Sequence, residues 1–478
     1  MAGAITGAAG QPALTPSSSK STLPSNYINN FDFLSQYLPD TYEREFERYG
    51  NRSINAFLRM VGAEMPTNSD LIKWEEQGRL HTKYEGCTTT QGDGATASTA
   101  VPYITAGAVA CNFRVGQTLL LSLEGAGATV SNKAIVTAVG ADTVAGTVDS
   151  FEVAYYEAAQ AVGFNAGTIT SFVYGSEFRK GSAGMVGSLE ADPVIFDNKP
   201  IIIKDKYVVA GSDMAQIGWV EVTSENGADG YLWYIKSEHE TRLRYDDYLE
   251  MAMVEGVPAA AASGALANLS PAPGATDAGT DGMFHTIENR GNVWSGGNPT
   301  ALADFDAIIQ RLDKQGAIQE NVLFVNRQMG FDIDDMLAAQ NSYGAGGTSY
   351  GLFDNDEEMA LNLGFSGFKR GYEFYKSDWK YLNDATLRGG LVGGAVNGVL
   401  VPAGSTNVYD QVMGKNARRP FLHVRYRASE TEDRRYKTWI TGSAGGAATS
   451  DLDRMEVNFL SERALCTLGA NNFFIFKS

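Results

Sequence analysis

A stretch of 89 residues, from Thr88 to Ser176, differs in composition from the chain on both sides of it. Only eight of these residues are charged, and most of the others are Thr, Ala, Gly, Val and Ser. The flanking segments, residues 42–48 and 177–180, are charged and aromatic. A composition that changes abruptly and then returns indicates a module inserted into a host domain. Because a host tolerates insertions at exposed tips, we expect the module to lie at such a tip.

Short apolar runs alternate with Gly, Asn and Asp inside this insert. The strand candidates are Thr118–Leu123, Lys133–Val139, Thr143–Val148 and Phe151–Tyr155. Short strands at this close spacing are typical of a small antiparallel sandwich or barrel. The sequence therefore predicts a small all-β insertion domain over residues 88–176.

The bulk composition describes a folded chain with an acidic balance. Its 478 residues are 44% hydrophobic and 20% charged, which favours two to four folded domains over disorder. A net charge of −18 repels polyanions and disfavours a dedicated nucleic-acid binder. One mild basic group stands out, and a solvated strand edge explains it equally well. Its members are Lys415, Arg418, Arg419, Arg425 and Arg427.

The cysteines and histidines form no metal-binding pattern. Cys87, Cys111 and Cys466 are too few for a disulfide scaffold and have no CxxC spacing, so we predict reduced, buried thiols, with a Cys87–Cys111 pair as the alternative. The four histidines are scattered along the chain and show no HExxH or paired spacing. They are His81, His239, His285 and His423. No P-loop and no complete GxGxxG signature is present. We therefore predict no metal site and no cofactor.

One serine matches a catalytic motif, but its context does not. Ser349 lies in Gly347–Gly351, which fits the GxSxG pattern of a nucleophile elbow. That motif requires a buried apolar strand before the turn. The preceding residues, Tyr343–Gly346, are not a strand sequence. We therefore predict no catalytic role for Ser349.

An acidic segment begins like a calcium loop and then departs from it. Asp354 starts the pattern, but Met359 stands where the loop needs glycine and Phe365 where it needs a bidentate acid. A helix start is the simpler interpretation of this segment. The aspartates at 332, 334 and 335 are interpreted as the solvated face of a helix.

The rest of the chain alternates between strand-like and helix-like segments. Residues 1–26 are polar, with no secretory signal, and no apolar run is suited to span a membrane. Helical sequence is predicted from Asp40 onward, with Asp40 or Thr41 as its cap, and again over Ser53–Val61 after an interruption at Gly50. The pattern predicts strand-like sequence over 71–87 and 177–222 and a further helix with mixed strands over 353–400. The predicted helices are Tyr231–Glu255, Thr300–Gln315 and Arg327–Gln340; the predicted strands are Pro200–Val209, Asn321–Val325, Phe421–Tyr426, Tyr436–Ile440 and Phe473–Phe476.

The order of these pieces resembles a known family. A polar arm, a short helix, a long extended hairpin, a strut helix, an α/β unit and returning strands follow one another. The segments that carry the resemblance are Leu23–Asp32, Glu43–Val61, Lys199–Val222, the helix at Tyr231 and Phe459–Leu465. This order resembles the major capsid proteins of tailed bacteriophages, whose Hong Kong 97-type fold also occurs in herpesvirus capsids. The chain is most similar to those of crAss-like phages, over nearly its whole length.

The resemblance implies an α+β fold with a defined partition. The implied parts are an N-terminal arm (1–38), an N-terminal helical segment (39–62), an extension loop (63–220) containing the β-rich insertion domain (88–176), the spine helix of the peripheral domain (221–256), an axial domain (257–415) and the return strands of the peripheral domain (416–478). The insert departs from the simplest members of the family, and no long charged scaffold region precedes the arm. Some relatives crosslink a lysine to an asparagine. Lys180, Lys199, Lys204 and Lys206 lie in the corresponding arm, where a solvated or ion-paired lysine is the default interpretation.

The function implied by the resemblance is structural, with no enzyme activity and no catalytic, cofactor-binding or metal-binding residues. The chain would self-assemble into hexamers and pentamers of an icosahedral virion capsid, built in the bacterial cytoplasm. That shell would enclose double-stranded DNA without sequence-specific binding and without a membrane. Implied partners are other copies, auxiliary or decoration proteins, head fibre proteins and the portal. The alternatives are a β-rich surface or adhesin-type protein, and a hydrolase that uses Ser349 or an acid pair.

Overall fold

A computed structural model describes most of the chain after residue 63. The described residues are 64–78, 81–89, 103–105, 112–124, 131–139, 150–156, 168–190, 193–216, 222–223, 229–230, 233–260, 264–265, 278–315, 318–341, 366–391, 395–410, 415–446 and 448–477. Strands and helices are both present, which makes the described part α+β. The predicted arm and N-terminal helical segment lie outside the described residues.

The elements are numbered in chain order within the described part. The strands are β1 (Glu64–Thr67), β2 (Ile72–Glu76), β3 (Lys83–Thr89), β4 (Tyr103–Thr105), β5 (Gln117–Glu124), β6 (Ser131–Val139), β7 (Ser150–Tyr155), β8 (Thr168–Ser176), β9 (Val194–Asn198), β10 (Ile201–Ala210), β11 (Val222–Thr223), β12 (Asp229–Gly230), β13 (Asn292–Trp294), β14 (Glu320–Val325), β15 (Gly367–Arg370), β16 (Tyr372–Asp378), β17 (Val396–Pro402), β18 (Ser405–Asp410), β19 (Lys415–Pro420), β20 (Leu422–Arg427), β21 (Lys437–Gly442), β22 (Arg454–Thr467) and β23 (Phe474–Lys477). The helices are α1 (Gly211–Met214), α2 (Trp233–Glu255), α3 (Met283–Arg290), α4 (Leu302–Gln315), α5 (Arg327–Asn341) and α6 (Lys380–Asn383).

The chain divides into two compact units. The smaller unit comprises residues 1–52, 206–243 and 439–458. In it the turn after β21 is held by Ser443, whose hydroxyl donates to the Leu452 carbonyl at 2.7 Å. Gly442 has φ 127°, and a Cβ there would lie 1.9 Å from the Arg454 carbonyl oxygen, so this turn requires glycine.

The larger unit comprises residues 53–205, 244–438 and 459–478. One of its sheets places β20 between β1, which is parallel to it, and β22, which is antiparallel. Within the larger unit the order of this sheet is β1-β20-β22. Two-stranded pairs form between β2 and β9 and between β18 and β19.

A second sheet in the larger unit has the order β13-β23-β17-β14-β16-β15. Its β14 and β16 are parallel, as are β13 and β23. Successive side chains of a strand point to opposite faces, and here both faces are apolar. On β14, Leu323 packs against α4 and α5, and Phe324 packs against α3 and α6. This layered α/β arrangement confirms the predicted α/β grouping and explains why β17 is buried along its whole length.

Six strands close into a barrel with the order β3-β4-β7-β6-β5-β8. Alternate side chains of its strands fill the interior. The buried set is Cys87, Phe113, Leu119, Leu121, Ala134, Val136, Phe151, Val153 and Ile169. The sequence did not distinguish a sandwich from a barrel, and in the structure the strands form a barrel. The compositional boundary at Thr88 falls inside β3, so the barrel includes the charged residues Lys83 and Glu85.

Most predicted elements are confirmed with small shifts of their ends. These are β2, β3, β5, β6, β7, β10, α2, α4, β14, α5, β20, β21 and β23. The strand candidate Thr143–Val148 lies outside the described residues. The prediction of strand from Glu177 onward is wrong as far as residue 190, where the chain forms no regular strand. The sequence pattern did not predict β1, β4, β8, β13, β18, β19, β22 or α3. The prediction of strand-like sequence over 177–222 is also wrong at α1, which is a short helix.

Two findings bear on the wider interpretation. Strand β23 lies between β13 and β17, so the chain end joins a sheet whose other strands come from residues 292–402. The partition into arm, loop and domains stays a prediction. In the part of the chain that the structure describes, no helix has the length and apolar character needed to cross a membrane.

Candidate assembly surface

A two-stranded ribbon, β2 with β9, connects the larger unit's sheets to the barrel. Ile72 pairs with Asn198, Trp74 with Phe196 and Glu76 with Val194 on one face, which we call the inner face. The opposite face carries Lys73 with Asp197 and Glu75 with Ile195. Ile195 is 57% exposed, so this outer face presents apolar surface to solvent.

The inner face of the ribbon rests on the end of β22. Ile72 and Trp74 pack with Ala464 and Cys466. Asn198, which is 5% exposed, satisfies its whole side-chain amide there and in the loop before α3. Its Nδ2 donates to the carbonyls of Leu465 at 2.7 Å and Asp281 at 2.9 Å. Its Oδ1 accepts from the Asp281 amide at 2.8 Å and from the Thr280 hydroxyl at 3.1 Å. A buried amide satisfied in this way fixes the end of the ribbon in one place.

Between the barrel and β9 the chain runs through an exposed segment, residues 177–190. Val186 is 85% exposed and Leu189 is 46% exposed. The segment is tied to the barrel at two points. Phe178 packs over Gly116, and Arg114 donates from Nη1 to the Gly187 carbonyl at 3.0 Å. Exposed apolar side chains grouped on an extended segment mark a contact surface.

The barrel carries a patch of aromatic and basic side chains on its outside. Lys83, Phe172, Leu120 and Lys133 occupy consecutive paired positions across β3, β8, β5 and β6. Tyr174 lies two residues beyond Phe172 on the same side, and Lys133 Nζ is 5.8 Å from the centre of its ring. The two rings are 39% and 49% exposed, which is unusual for large aromatic groups on a small domain. We call this set the barrel patch.

A further tyrosine at the rim of the barrel contacts the exposed segment. Tyr156 donates its hydroxyl hydrogen bond to Glu177, at the start of residues 177–190. Partial burial and this carboxylate raise the pKa of Tyr156 to about 12, so the hydroxyl stays protonated. The bond adds a third tie between barrel and segment.

The residues singled out as possible catalytic or calcium groups are not brought together. Ser349 and the acidic segment at Asp354 lie outside the described residues. Asp332, Asp334 and Asp335 lie on α5, as expected, but the predicted solvated face is wrong for Asp332 and Asp334, which are partly buried. Asp334 forms an ion pair with Lys376, and Asp332 accepts hydrogen bonds from Asn298 and Gln328. Across the described residues, no group of three His, Cys, Asp or Glu side chains is arranged to hold a metal ion.

The histidines and cysteines occupy structural positions where they are described. His423 and Cys466 are buried opposite each other on β20 and β22. Burial raises the pKa of the Cys466 thiol to about 12, so it is a neutral core group. His285 contacts Asp281 at 2.7 Å. Cys87 lies in the barrel core as a reduced, buried thiol, as predicted, with its Sγ 3.6 Å from the Ser171 hydroxyl, and Cys111 lies outside the described residues.

In the basic group, Arg419 and Arg425 lie close together and Arg419 is buried, so its interpretation as a solvated strand edge is wrong at that residue. Arg427 pairs with Asp70, while burial and the neighbouring Arg425 lower the pKa of Arg419. The side chains of Lys415 and Arg418 lie outside the described residues. Among the arm lysines, Lys180 lies in an exposed turn, Lys199 is half-buried, and Lys204 and Lys206 are exposed on β10.

Comparison with known proteins gives matches among solved structures. No protein-family model matches the chain, and no curated protein matches it. A structure from Microbacterium phage Oxtober96 aligns with a TM-score of 0.37 and 10% identity, over 93% of this chain and 97% of that one. The capsid of a native GTA particle aligns at 0.36 and 9%, over 92% and 95%. The holo-SrpI encapsulin complex of Synechococcus elongatus PCC 7942 aligns at 0.31 and 12%, over 60% and 77%. At this level of similarity the alignments carry no argument about what this chain does.

The sequence placed the barrel but missed the residues that make its surface and its attachment. Phe172 and Tyr174 are on β8, which the sequence did not predict. Asn198 and Phe196 are on β9, whose inner face pairs with residues more than a hundred positions earlier. The consecutive apolar residues Val194, Ile195 and Phe196, followed by Asp197 and Asn198, could have indicated a short strand near a turn.

Proposed function

We propose that this chain is a non-enzymatic shell subunit with the Hong Kong 97-type fold of tailed-phage capsid proteins. The observation that supports it best is the ribbon, which is fixed at its root, passes into an exposed segment and bears a barrel with an aromatic patch. The order of the other elements also agrees with the resemblance. Strand β10, the 23-residue helix α2, the α/β sheet and the long return strand β22 follow the ribbon in turn.

The shell is proposed to be an icosahedral virion capsid, of the kind found in crAss-like phages, assembled in the host cytoplasm. Its units would be hexamers and pentamers of this chain, joined by auxiliary, decoration, head fibre and portal proteins. A net charge of −18 is compatible with a shell that encloses double-stranded DNA without binding it tightly. Many weak, repeated contacts would hold the shell together, and extended arms with apolar surface provide them.

Within this proposal the parts of the chain keep the roles that the resemblance implies. The extension loop comprises the ribbon, the exposed segment and the barrel. Helix α2 is the spine, and residues 257–415 supply most of the axial domain. The barrel patch and the outer face of the ribbon are the surfaces that contact another copy or an auxiliary protein.

Assembly of the purified chain tests the proposal directly. We expect rings of five or six subunits, or closed shells, when the protein is measured by light scattering and negative-stain microscopy. The measurement should span a wide range of concentration and ionic strength, because shell contacts are individually weak. A strictly monomeric protein under all these conditions would overturn the proposal.

Removing the barrel should weaken assembly without unfolding the rest of the chain. Residues 83–172 can be replaced by a short Gly/Ser linker, because Lys83 on β3 pairs directly with Phe172 on β8, and the Val173 amide donates to the Thr82 carbonyl at 3.3 Å. We expect a soluble protein whose remaining sheets melt within a few degrees of the parent, with reduced or differently sized assemblies. Circular dichroism melting and negative-stain microscopy measure the two effects.

A surface variant separates contact from folding. Phe172→Ser combined with Tyr174→Ser removes the exposed rings and leaves the barrel core intact. Thr137→Ser, at an exposed position of the neighbouring barrel strand β6, is the control. Unchanged assembly in both the double variant and the barrel replacement would remove the barrel from the contact surface.

A further inference from the structure

The aromatic pair at the middle of the ribbon's inner face is capped by an arginine from another element. Trp74 and Phe196 are directly paired, with ring centres 6.4 Å apart. Arg290 is the last residue of α3, and its guanidinium carbon lies 4.1 Å from the Phe196 ring centre. The same carbon lies 5.6 Å from the Trp74 ring centre. One cation therefore contacts both strands of the ribbon.

The two rings are the principal contacts of this guanidinium. Arg290 Nη1 is buried and has no hydrogen-bond partner among the described residues. No carboxylate in the described part of the chain lies within ion-pair distance of Arg290. A planar guanidinium stacks well on aromatic faces, and the attraction is strongest where water is excluded. The contact is directional, so it is lost if the ribbon turns away from α3.

Further anchors flank this stack on the same face. Asn198 holds one end of the inner face, as described above. At the other end Glu76 Oε1 accepts from the Gly469 amide at 2.9 Å and from Trp74 Nε1 at 3.0 Å. The part of β2 that is held against the core thus extends from Ile72 to Glu76. Beyond it, a side chain added at Gly78 would meet no atom within 4 Å, so the supporting contacts stop there.

We propose that Arg290 is a positioning residue that fixes the direction in which the ribbon leaves the core. By holding Trp74 and Phe196 together against α3, it sets the angle at which the exposed segment and barrel are presented. In a shell, that angle decides where the barrel meets its neighbour and therefore the curvature of the assembly. The consequence for curvature rests on the proposed function, whereas the fixed ribbon does not.

Hydrogen exchange on the unassembled protein tests the fixed ribbon. We expect Arg290→Ala to speed exchange of the amides in residues 72–76 and 194–198 by about tenfold, with little change elsewhere. Arg290→Lys should restore part of the protection, because an ammonium group still attracts both rings. Arg179→Ala removes an exposed guanidinium from residues 177–190 and is the control.

A double-mutant cycle distinguishes the stack from general loosening. Phe196→Leu keeps apolar bulk and removes the ring. If the stack fixes the ribbon, Phe196→Leu should speed exchange like Arg290→Ala, and the double variant should add little to either. Fully additive effects, or protection unchanged in Arg290→Ala, would overturn the proposal.

Microscopy of the same variants then tests curvature. We expect the wild-type protein to assemble into uniform particles. We expect Arg290→Ala to assemble into particles of a different size or of irregular shape. If Arg290→Ala loosens the ribbon yet assembles identically, the link to curvature is wrong. If the ribbon loosens but the wild type never assembles, the proposed function fails and the positioning role stands.

Discussion

Replacing Glu64 with Gln is expected to lower the free energy of unfolding by about 2 kcal/mol. Glu64 is the first residue of β1, and its carboxylate bridges two arginines. Its Oε1 lies 3.4 Å from Nη1 of Arg463, and its Oε2 accepts from Arg435. The Arg463 side chain is only 8% exposed, and burial lowers the pKa of this guanidinium while Glu64 opposes that shift. The substitution removes the nearby counter-charge and leaves a buried cation.

The expected loss is smaller than the usual cost of breaking a fully buried pair, for two reasons. Glu64 is 28% exposed, so water screens part of the interaction. Arg463 also keeps its hydrogen bonds to the Ser461 hydroxyl at 2.9 Å and to the Arg435 carbonyl at 3.0 Å. These bonds satisfy donors but do not neutralise charge.

Urea denaturation of three variants separates this effect from a general loss of surface charge. Asp70→Asn is the matched control, since its carboxylate pairs with Arg427 but is 90% exposed. An exposed pair of this kind contributes little, and we expect a change within about 0.5 kcal/mol. Arg463→Met in the Glu64→Gln background should recover much of the loss, because the unpaired charge is gone. Equal losses in Glu64→Gln and Asp70→Asn would contradict this interpretation.

Elements with a regular pattern were predictable, and the exceptions have physical reasons. Helix α4 is found almost as predicted because Phe305, Ile308 and Leu312 repeat at helical spacing and are all buried. Strand β8 was missed because Phe172 and Tyr174 face outward while Ser171 faces the barrel core. An exterior that is more aromatic than the interior erases the alternation on which strand prediction depends.

Helix α2 was predicted almost to its ends, but its buried face was not. Two of its apolar residues, Ile235 and Tyr248, are each 41% exposed. The side that is buried includes Tyr245, Leu249 and also Glu250. A helix that buries polar groups and exposes apolar ones shows no continuous apolar face in its sequence, so which side is buried depends on tertiary contacts.

Contacts between distant parts of the chain could not have been predicted from local pattern. Helix α3 is eight residues long, too short for a periodic signal, and its N-cap residue, Gly282, makes no side-chain capping bond. Its last residue, Arg290, nevertheless contacts both strands of the ribbon. Local sequence determines which segments form strands, but it contains no information on which side chains meet across the fold.

Acidification should destabilise the folded protein through His423. Burial, together with the charges of Arg425 and Arg419, lowers the pKa of His423 to about 4, although a hydrogen bond with the Pro420 carbonyl acts in the other direction. Cys466, directly opposite on β22, stays neutral over this range. Below pH 6.5 the unfolded chain takes up a proton at this histidine, whereas the folded chain does so only near pH 4. Stability contributed by the neutral imidazole is therefore complete above pH 6.5 and is lost progressively down to pH 4.

The size of this effect follows from the shift in pKa. The difference between the folded and unfolded values corresponds to about 3 kcal/mol near pH 4 and about 2 kcal/mol at pH 5. His423→Gln removes the titrating ring and should flatten the dependence of unfolding free energy on pH between 7 and 5 by about 2 kcal/mol. His81→Gln, at an exposed position outside the sheets, removes one histidine as the control. Urea titrations at several pH values measure both slopes. Parallel curves for the wild type and His423→Gln would show that His423 is protonated in the folded state at these pH values, contrary to its burial between two arginines.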